Sequence, residues 1–344
     1  MDAFTRSACV AVAWAAVLSV APGTTHLSGQ QSVTPGPVEL RPGVVVDAAR
    51  RVAYVMNPKG GIDAVRLERG AVLWHSDQAA RPVTAAGDLV VAQAEVPRPG
   101  NDLQLRMLDA GTGRSRRAAA HNLPQGTRAT VVGTVAGSFS LQAIASGMEA
   151  TLAWEFIERP LQGVRPGALD VAVPPTERAV AADVQAAPGV DLSTRTGVFR
   201  VDLASGKSQD TPGGDKAAFA LRRADLPANA QLSAATGQQF ASADGRHVLT
   251  SERIADDSVW EKYQWTIFET ATGSRVGSLL DYRSQAPFIV VGSSIIYETG
   301  PFERRTDAGV TREPLSLRSV NLTTGIQQWA REIRDTTYRG PFPG

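Results

Sequence analysis

The residues able to do chemistry are few and scattered. Four histidines, His26, His75, His121 and His247, are widely spaced in the chain, so none shares a local proton relay or metal site with another. The sequence contains no H-E-x-x-H helix signature and no G-x-S-x-G nucleophile elbow. It contains no phosphate-cradling glycine loop either. Gly206-Lys207-Ser208 has the closing residue types of a P-loop but lacks the upstream glycine at the right spacing. The single cysteine, Cys9, excludes an intrachain disulfide and a cysteine-rich zinc site. No Asp, Asn and Glu cluster has the spacing of a calcium loop. The sequence therefore nominates no catalytic residue, metal ligand or cofactor.

Three groups of residues suit binding instead. Trp260, Tyr263 and Trp265 fall in DDSVWEKYQWTIF, where alternation puts Tyr263 and Trp265 on one strand face. Blade packing and an exposed aromatic patch are the two readings of this cluster. The stretch 300–314, GPFERRTDAGVTREP, reads as a long loop between two strands. It sets Arg304, Arg305 and Arg312 against Glu303, Asp307 and Glu313. Such a loop is either a solvated, self-neutralising connection or an anion or partner contact. The tail DTTYRGPFPG offers Tyr338 and Phe342, either to seal one mouth of the fold or to meet a partner.

Composition narrows the classes. The 344 residues carry 35 basic and 34 acidic side chains, with hydrophobic residues at 43%. This is too apolar and balanced for disorder, and it lacks the basic excess of a sequence-independent nucleic-acid binder. Residues 8–21, ACVAVAWAAVLSVA, form an uncharged apolar run preceded by Arg6 and closed by Pro22-Gly23. A positive n-region, a short apolar core and a small-residue exit describe a secretory signal peptide over 1–21. Retention of the run as an N-terminal anchor is the alternative. Residues 22–37 read as a flexible leader. Cleavage would leave a chain without cysteine, which suits an oxidising compartment. The expected location is periplasmic or secreted, with no transmembrane segment in the mature chain.

From Val38 onward the sequence alternates short runs of Val, Leu, Ile, Tyr, Phe and Thr with Gly, Asp, Asn and Pro, the mark of strands and turns. One unit recurs: a strand, a polar turn ending in Gly, and a second strand. Its copies are IDAVRLERGAVLW (62–74), LQLRMLDAGTGRSRR (103–117), GVFRVDLASGKSQD (197–210), WTIFETATGSRVGS (265–278) and LRSVNLTTGIQQWA (317–330). The turn glycines are Gly70, Gly113, Gly206, Gly273 and Gly325, and a weaker copy at 152–164 nominates Gly163. Four copies read Asp, Glu or Asn, three residues, then Gly; the first, Glu68-Arg69-Gly70, reads as a shorter turn. Further strand-like sequence precedes most copies. Four strands per unit of about 45 residues is the arithmetic of a β-propeller blade.

The expected fold is all-β, a propeller of four-stranded antiparallel blades over 38–344. About six blades are expected, with five if 159–195 is an insertion and seven if 206–273 hides a further blade. Irregular insertions are expected near 165–193 and 211–236, the second with a short helix at 217–226. Val38–Val46 is expected to pair with the last blade. Trp74 and Trp329, just past their turns, are read as inter-blade packing. Asn321-Leu322-Thr323 matches a glycosylation acceptor but lies in a repeat turn, and is read as turn chemistry.

The opening and closing copies, IDAVRLERGAVLWHSD and LRSVNLTTGIQQWAREI, resemble the PQQ-like propeller repeat, roughly ALDxxTGxxxW. The resemblance implies a propeller related to the quinoprotein alcohol dehydrogenases and to the outer-membrane assembly propeller lipoproteins. The dehydrogenases of that group hold a quinone, a calcium ion and usually a vicinal disulfide, and are about twice as long. This chain has no Cys-Cys pair, so the resemblance is read as that of a short member without quinone. The leading expectation is an exported binding or scaffold propeller with no chemistry of its own, a monomer whose partner is a protein or small ligand. The alternatives are a hydrolase, a lyase or a small-ligand receptor sited in the central channel. An outer-membrane assembly factor is a third reading, by fold analogy alone.

Overall fold

A computed structural model describes residues 36–94, 102–124, 131–132, 135–160, 194–211, 238–254, 261–306 and 309–334. The chain separates into two compact units, Met1–Thr34 and Pro35–Gly344. The expected signal peptide, most of the expected leader, the helix expected near 217–226, Gly163, Trp260 and the tail 335–344 lie outside the described residues.

The second unit is a β-propeller. Its described residues form five antiparallel sheets of four or five strands, taken in chain order, and one separate two-stranded ribbon. Blade 1 holds β1 (Val38–Arg41), β2 (Val44–Asp47), β3 (Val52–Met56), β4 (Ile62–Arg66) and β5 (Val72–Ser76). Blade 2 holds β6 (Arg81–Ala86), β7 (Leu89–Gln93), β8 (Asp102–Asp109) and β9 (Ser115–Asn122). Blade 3 holds β10 (Val131–Val132), β11 (Val135–Ser146), β12 (Glu149–Pro160), β13 (Thr194–Asp202) and β14 (Ser208–Asp210). Blade 4 holds β15 (Gln238–Ala241), β16 (His247–Ile254), β17 (Lys262–Glu269) and β18 (Arg275–Asp281). Blade 5 begins with β19 (Phe288–Val291) and β20 (Ser294–Thr299). The ribbon β21 (Phe302–Thr306) and β22 (Gly309–Glu313) follows, and β23 (Ser316–Asn321) and β24 (Gln327–Glu332) complete the blade.

All five repeat turns share one geometry. The closing glycines have φ between 65° and 76°, a left-handed backbone that a side chain would strain. Each glycine N–H donates to the carbonyl four residues back, Arg66, Asp109, Asp202, Glu269 or Asn321, at 2.7–2.8 Å. Each of those residues donates in turn to the carbonyl just after the glycine, at 2.8–3.0 Å. The first turn is therefore as long as the others, with Arg66 in the acidic position; the sequence pattern missed it because arginine cannot accept a turn hydrogen bond. In all four other turns that side chain does accept: Glu269 Oε2 takes the Thr272 hydroxyl at 2.7 Å, and the other three take backbone N–H groups. Asp109 Oδ1 takes the Gly111 and Thr112 N–H, Asp202 Oδ1 takes Ala204 and Ser205, and Asn321 Oδ1 takes Thr323 and Thr324. The next residue of each turn donates to the carbonyl of Arg51, Asp88, Met148, Arg246 or Ser293, pinning the turn to an earlier hairpin of its own blade at 2.8–3.0 Å.

The blade seams use the strand that leaves this turn. Trp74 of blade 1 lies over Gly113 of blade 2, where an added Cβ would sit 2.5 Å from the ring, and its Nε1–H donates to the Ala110 carbonyl at 2.9 Å. Trp329 of blade 5 repeats this on blade 1, over Gly70, with Nε1–H donating to the Leu67 carbonyl at 2.6 Å. At the seam of blades 4 and 5 the equivalent residue is Gly277, whose backbone sits directly against Leu322. Blade 3 meets blade 2 through Ser208 Oγ donating to Ala120 at 2.7 Å and through His121 stacked on Phe199, centroids 3.7 Å apart. Apolar clusters fill the same seams.

Three expectations are corrected. The weak copy at 152–164 is not a separate repeat. Residues through Pro160 belong to β12, which pairs with β11 on one side and β13 on the other. Residues 161–193 thus connect two neighbouring strands of one blade, the insertion case, and the described sheets number five. Val38–Val46 does not pair with the last blade: β1 pairs β2 within blade 1. Val38, Leu40, Val44 and Val46 pack side chains against Ile289, Ile296 and Leu315 of the last blade instead. The stretch 300–314 is a paired ribbon rather than a loop. Among the described residues no helix is long and apolar enough to cross a membrane.

Candidate functional site

The extra strand β1 builds a charged line at the edge where each blade begins. Its alternation sends Val38 and Leu40 toward the apolar cluster with blade 5 and leaves Glu39 and Arg41 on the other face. Arg41 Nη1 pairs with Glu298 Oε1 of blade 5 at 2.8 Å, and Arg283 Nη1 approaches the same oxygen at 4.0 Å. On the opposite flank Glu39 Oε1 accepts from Arg81 Nη2 at 3.2 Å. The same Nη2 donates to the Leu141 carbonyl of β11 at 3.1 Å. Arg81 thus joins blades 1, 2 and 3, and its side chain is 5% exposed. Burial pushes the Glu39 carboxyl up from the ordinary range, opposed by the Arg81 charge and by hydrogen bonds from Arg81 and the Gly43 backbone. Arg81 Nε, Gln93 Oε1 and Thr299 Oγ1 are buried here without a partner among the described residues.

The line runs on to the base of the ribbon. Arg283 donates to the Gly300 carbonyl and lies over the Phe302 ring, 5.0 Å from its centroid. Gly300, at φ 82°, backs onto Pro314, where a Cβ would sit 2.5 Å from the carbonyl oxygen. The two legs are therefore pinched together where they leave the blade. In register, Glu303 stands opposite Arg312, Arg304 opposite Thr311 and Arg305 opposite Val310. Val310 near the tip is exposed.

The aromatic group divides. Trp265 is fully buried in blade 4, its ring 5.1 Å from Tyr297 and its Nε1–H donating to the Arg283 carbonyl at 2.6 Å. It is therefore a core residue and offers no exposed face. Tyr263 packs at the edge of the same cluster, as the alternation implied, and its hydroxyl donates to Glu261 Oε2 at 2.7 Å. Arg253 pairs with Glu261 at 3.0 Å beside it. Trp260 and Tyr338 lie outside the described residues. Arg283 links the two nominated regions, because its carbonyl receives Trp265 and its guanidinium holds the ribbon.

Sequence reasoning missed a second cluster. His75 Nδ1 bonds Asp63 Oδ1 at 2.7 Å, Asn57 Nδ2 donates to Asp63 Oδ2 at 2.9 Å, and Arg331 of blade 5 approaches that oxygen at 3.8 Å. Asp63 and His75 are direct cross-strand partners of β4 and β5. The period-2 register of the first repeat was the signal that could have found them. A carboxylate on Nδ1 fixes the ring and leaves Nε2 on a side chain that is 47% exposed. Among the described residues no group of three or more His, Cys, Asp or Glu side chains is placed to hold a metal ion.

No protein-family model matches the sequence, and no curated protein matches it. Solved structures do resemble it in fold. BamB from Moraxella catarrhalis is 13% identical with a TM-score of 0.23, over 82% of this chain and 73% of that one. The Cps50 (Swd1) β-propeller domain from Myceliophteria thermophila is 12% identical with a TM-score of 0.27, over 84% and 85%. Quinohemoprotein alcohol dehydrogenase from Comamonas testosteroni is 11% identical with a TM-score of 0.25, over 86% of this chain and 43% of the enzyme. The chain thus spans under half the length of that enzyme.

Proposed function

We propose that this chain is an exported binding propeller, a short PQQ-like member that works without quinone and without chemistry of its own, and that it grips a partner protein through the ribbon β21–β22. The observation that carries the reading is that these two strands belong to none of the five blade sheets, while their base is fixed to the blade by Arg283, Gly300 and Phe302. A rigidly rooted arm on a regular scaffold loses little order on binding. Its Arg304, Arg305 and Arg312 supply forked donors for carboxylates of the partner. Export rests on the apolar run at 8–21 and on Cys9 as the single cysteine.

The test uses the full chain as bait against envelope extract, beside a triple variant with Arg304, Arg305 and Arg312 each replaced by Ala. The expected result is a retained protein that the triple variant loses and that a peptide of residues 300–314 displaces. Equal retention by both baits would overturn the ribbon. Turnover of a substrate by the purified chain alone would overturn the absence of chemistry. Fractionation of producing cells tests export, and recovery of the chain in the cytoplasm alone would refute it.

A further inference from the structure

Among the described residues β21 and β22 pair only with each other, so each leaves one strand edge unpaired. Their ladder runs without a shift from Phe302–Glu313 to Thr306–Gly309. A pair that closes a two-residue connection exchanges both of its hydrogen bonds. The ladder bonds therefore fall at Thr306–Gly309, Arg304–Thr311 and Phe302–Glu313. The residues between them turn N–H and C=O outward. On β22 these are Val310 and Arg312. Gly309, Val310, Glu313 and Pro314 are exposed, Val310 at 54%. β21 instead begins at Phe302, which the Arg283 guanidinium covers. The open edge is that of β22.

An open edge is a template for another strand. The residue order of β22 says which strand fits. Directly opposed residues share a face, and unlike charges or two apolar groups favour the pair. An antiparallel neighbour meets Glu313, Arg312, Thr311 and Val310 in turn. Its matching order is basic, acidic, hydroxyl, apolar, as in Lys-Glu-Thr-Val. The acid then stands opposite Arg312 and the apolar residue opposite Val310, the two positions whose backbone groups point outward.

We propose that the ribbon takes its partner by strand addition: an extended segment of the partner pairs antiparallel along β22, with an acidic residue opposite Arg312 and a β-branched apolar residue opposite Val310. This rests on the reading of the ribbon as the gripping element and assigns the grip to its backbone as well as to its charges.

The test is an NMR titration of the full chain with the peptide Lys-Glu-Thr-Val-Thr, acetylated and amidated at its ends. In the proposed register the N–H groups of its Glu and Val donate to β22, and those of the other residues point away. Saturable binding is expected. N-methylation at Glu or at Val should weaken it about tenfold, the effect of one lost hydrogen bond. N-methylation at the central Thr should leave it unchanged. Val310→Pro, which removes an outward N–H but no ladder bond, should weaken the unmodified peptide as much. Arg312→Glu should reverse the preference toward Lys-Lys-Thr-Val-Thr. Circular dichroism verifies that each variant is folded, and the methylated peptides on the natural chain carry the test if one is not. No saturable binding, or indifference to which residue is methylated, would overturn strand addition. The ribbon reading survives that result if the triple arginine variant still loses the partner from extract, and falls with it otherwise. Self-association of the chain that Val310→Pro abolishes would give the edge to a second copy and overturn the proposal.

Discussion

Trp329→Ala tests how the propeller is held together. The indole is 7% exposed, lies against Gly70 and donates to the Leu67 carbonyl at 2.6 Å. Burying a tryptophan side chain removes about 250 Å² from water, or about 6 kcal/mol at 25 cal/mol/Å². The unfolded chain already buries part of that area and alanine keeps another part, so the expected loss is about 4 kcal/mol. Trp74→Ala should cost a similar amount, since its contact with Ala110 and Gly113 is the same contact one blade on. The two differ in sequence separation, 36 residues for Trp74 and 262 for Trp329. Closing the longer loop costs about 1.8 kcal/mol more entropy, so the seam of blades 5 and 1 should form after the transition state. Trp329→Ala should then leave the folding rate nearly unchanged and speed unfolding by roughly 900-fold. Trp74→Ala should slow folding as well. Urea-jump kinetics followed by far-UV circular dichroism reads both rates. Equal slowing of folding by the two variants, or a loss at position 329 below about 1.5 kcal/mol, would refute the reasoning.

Three further predictions follow from the same geometry. Gly113→Ala should lower the urea midpoint well beyond Gly87→Ala. Both residues have positive φ, but a Cβ at 113 meets the Trp74 ring at 2.5 Å whereas at 87 nothing lies within 4 Å; about 1–2 kcal/mol of strain is expected at 87 alone. Arg66→Asp should restore the acceptor that the first turn lacks and raise the midpoint by about 0.5–1 kcal/mol, and a lower midpoint would contradict the shared turn geometry. Burial pushes both His121, partly offset by Asp210, and His247 below the ordinary value of 6.5. The unfolded chain therefore binds their protons first, so stability is full above about pH 6.5 and falls as pH drops below it. Replacing both with Gln should flatten the urea-midpoint profile between pH 7.5 and 5, and an unchanged slope would refute the assignment.

The sequence spoke clearly where one residue type does one backbone job. Five turn glycines were legible because a left-handed position excludes side chains, and the two tryptophans because a large ring past a turn must find a neighbouring blade. Asn321 was legible for the same local reason. The failures share a different cause. Arg66 fills an acidic turn position without its chemistry, so the first turn looked short although its backbone bonds are the same. Residues 152–160 have the strand pattern of a repeat, but strand pairing, which no pattern displays, made them part of the third strand of blade 3. The ribbon hid because charged residues in alternation read as a loop. Arg81 and Gln93 were invisible because their meeting depends on a register with a bulge between Pro82 and Thr84.

The position four residues past each turn glycine explains why the repeat blurred. It holds Trp74, Arg117, Asp210, Gly277 and Trp329. In blade 1 a large ring docks on the small Ala110 of the next blade; in blade 4 a glycine docks on the larger Leu322. The seam of blades 5 and 1 pairs Trp329 with Leu67, so the facing residue types drift from seam to seam while the repeat turn persists. The seam of blades 2 and 3 goes furthest. There the stack of His121 on Phe199 does the packing and brings a titratable ring into the scaffold. The repeat geometry explains the turns and the seams, but it requires neither β1 nor the ribbon. These two additions carry or anchor the charged line Glu39–Arg81 and Arg41–Glu298–Arg283. An extra strand that brings partly buried charges to an inner edge adds desolvation cost that a plain blade avoids. In the proposed reading, binding at the ribbon is the reason to retain that cost.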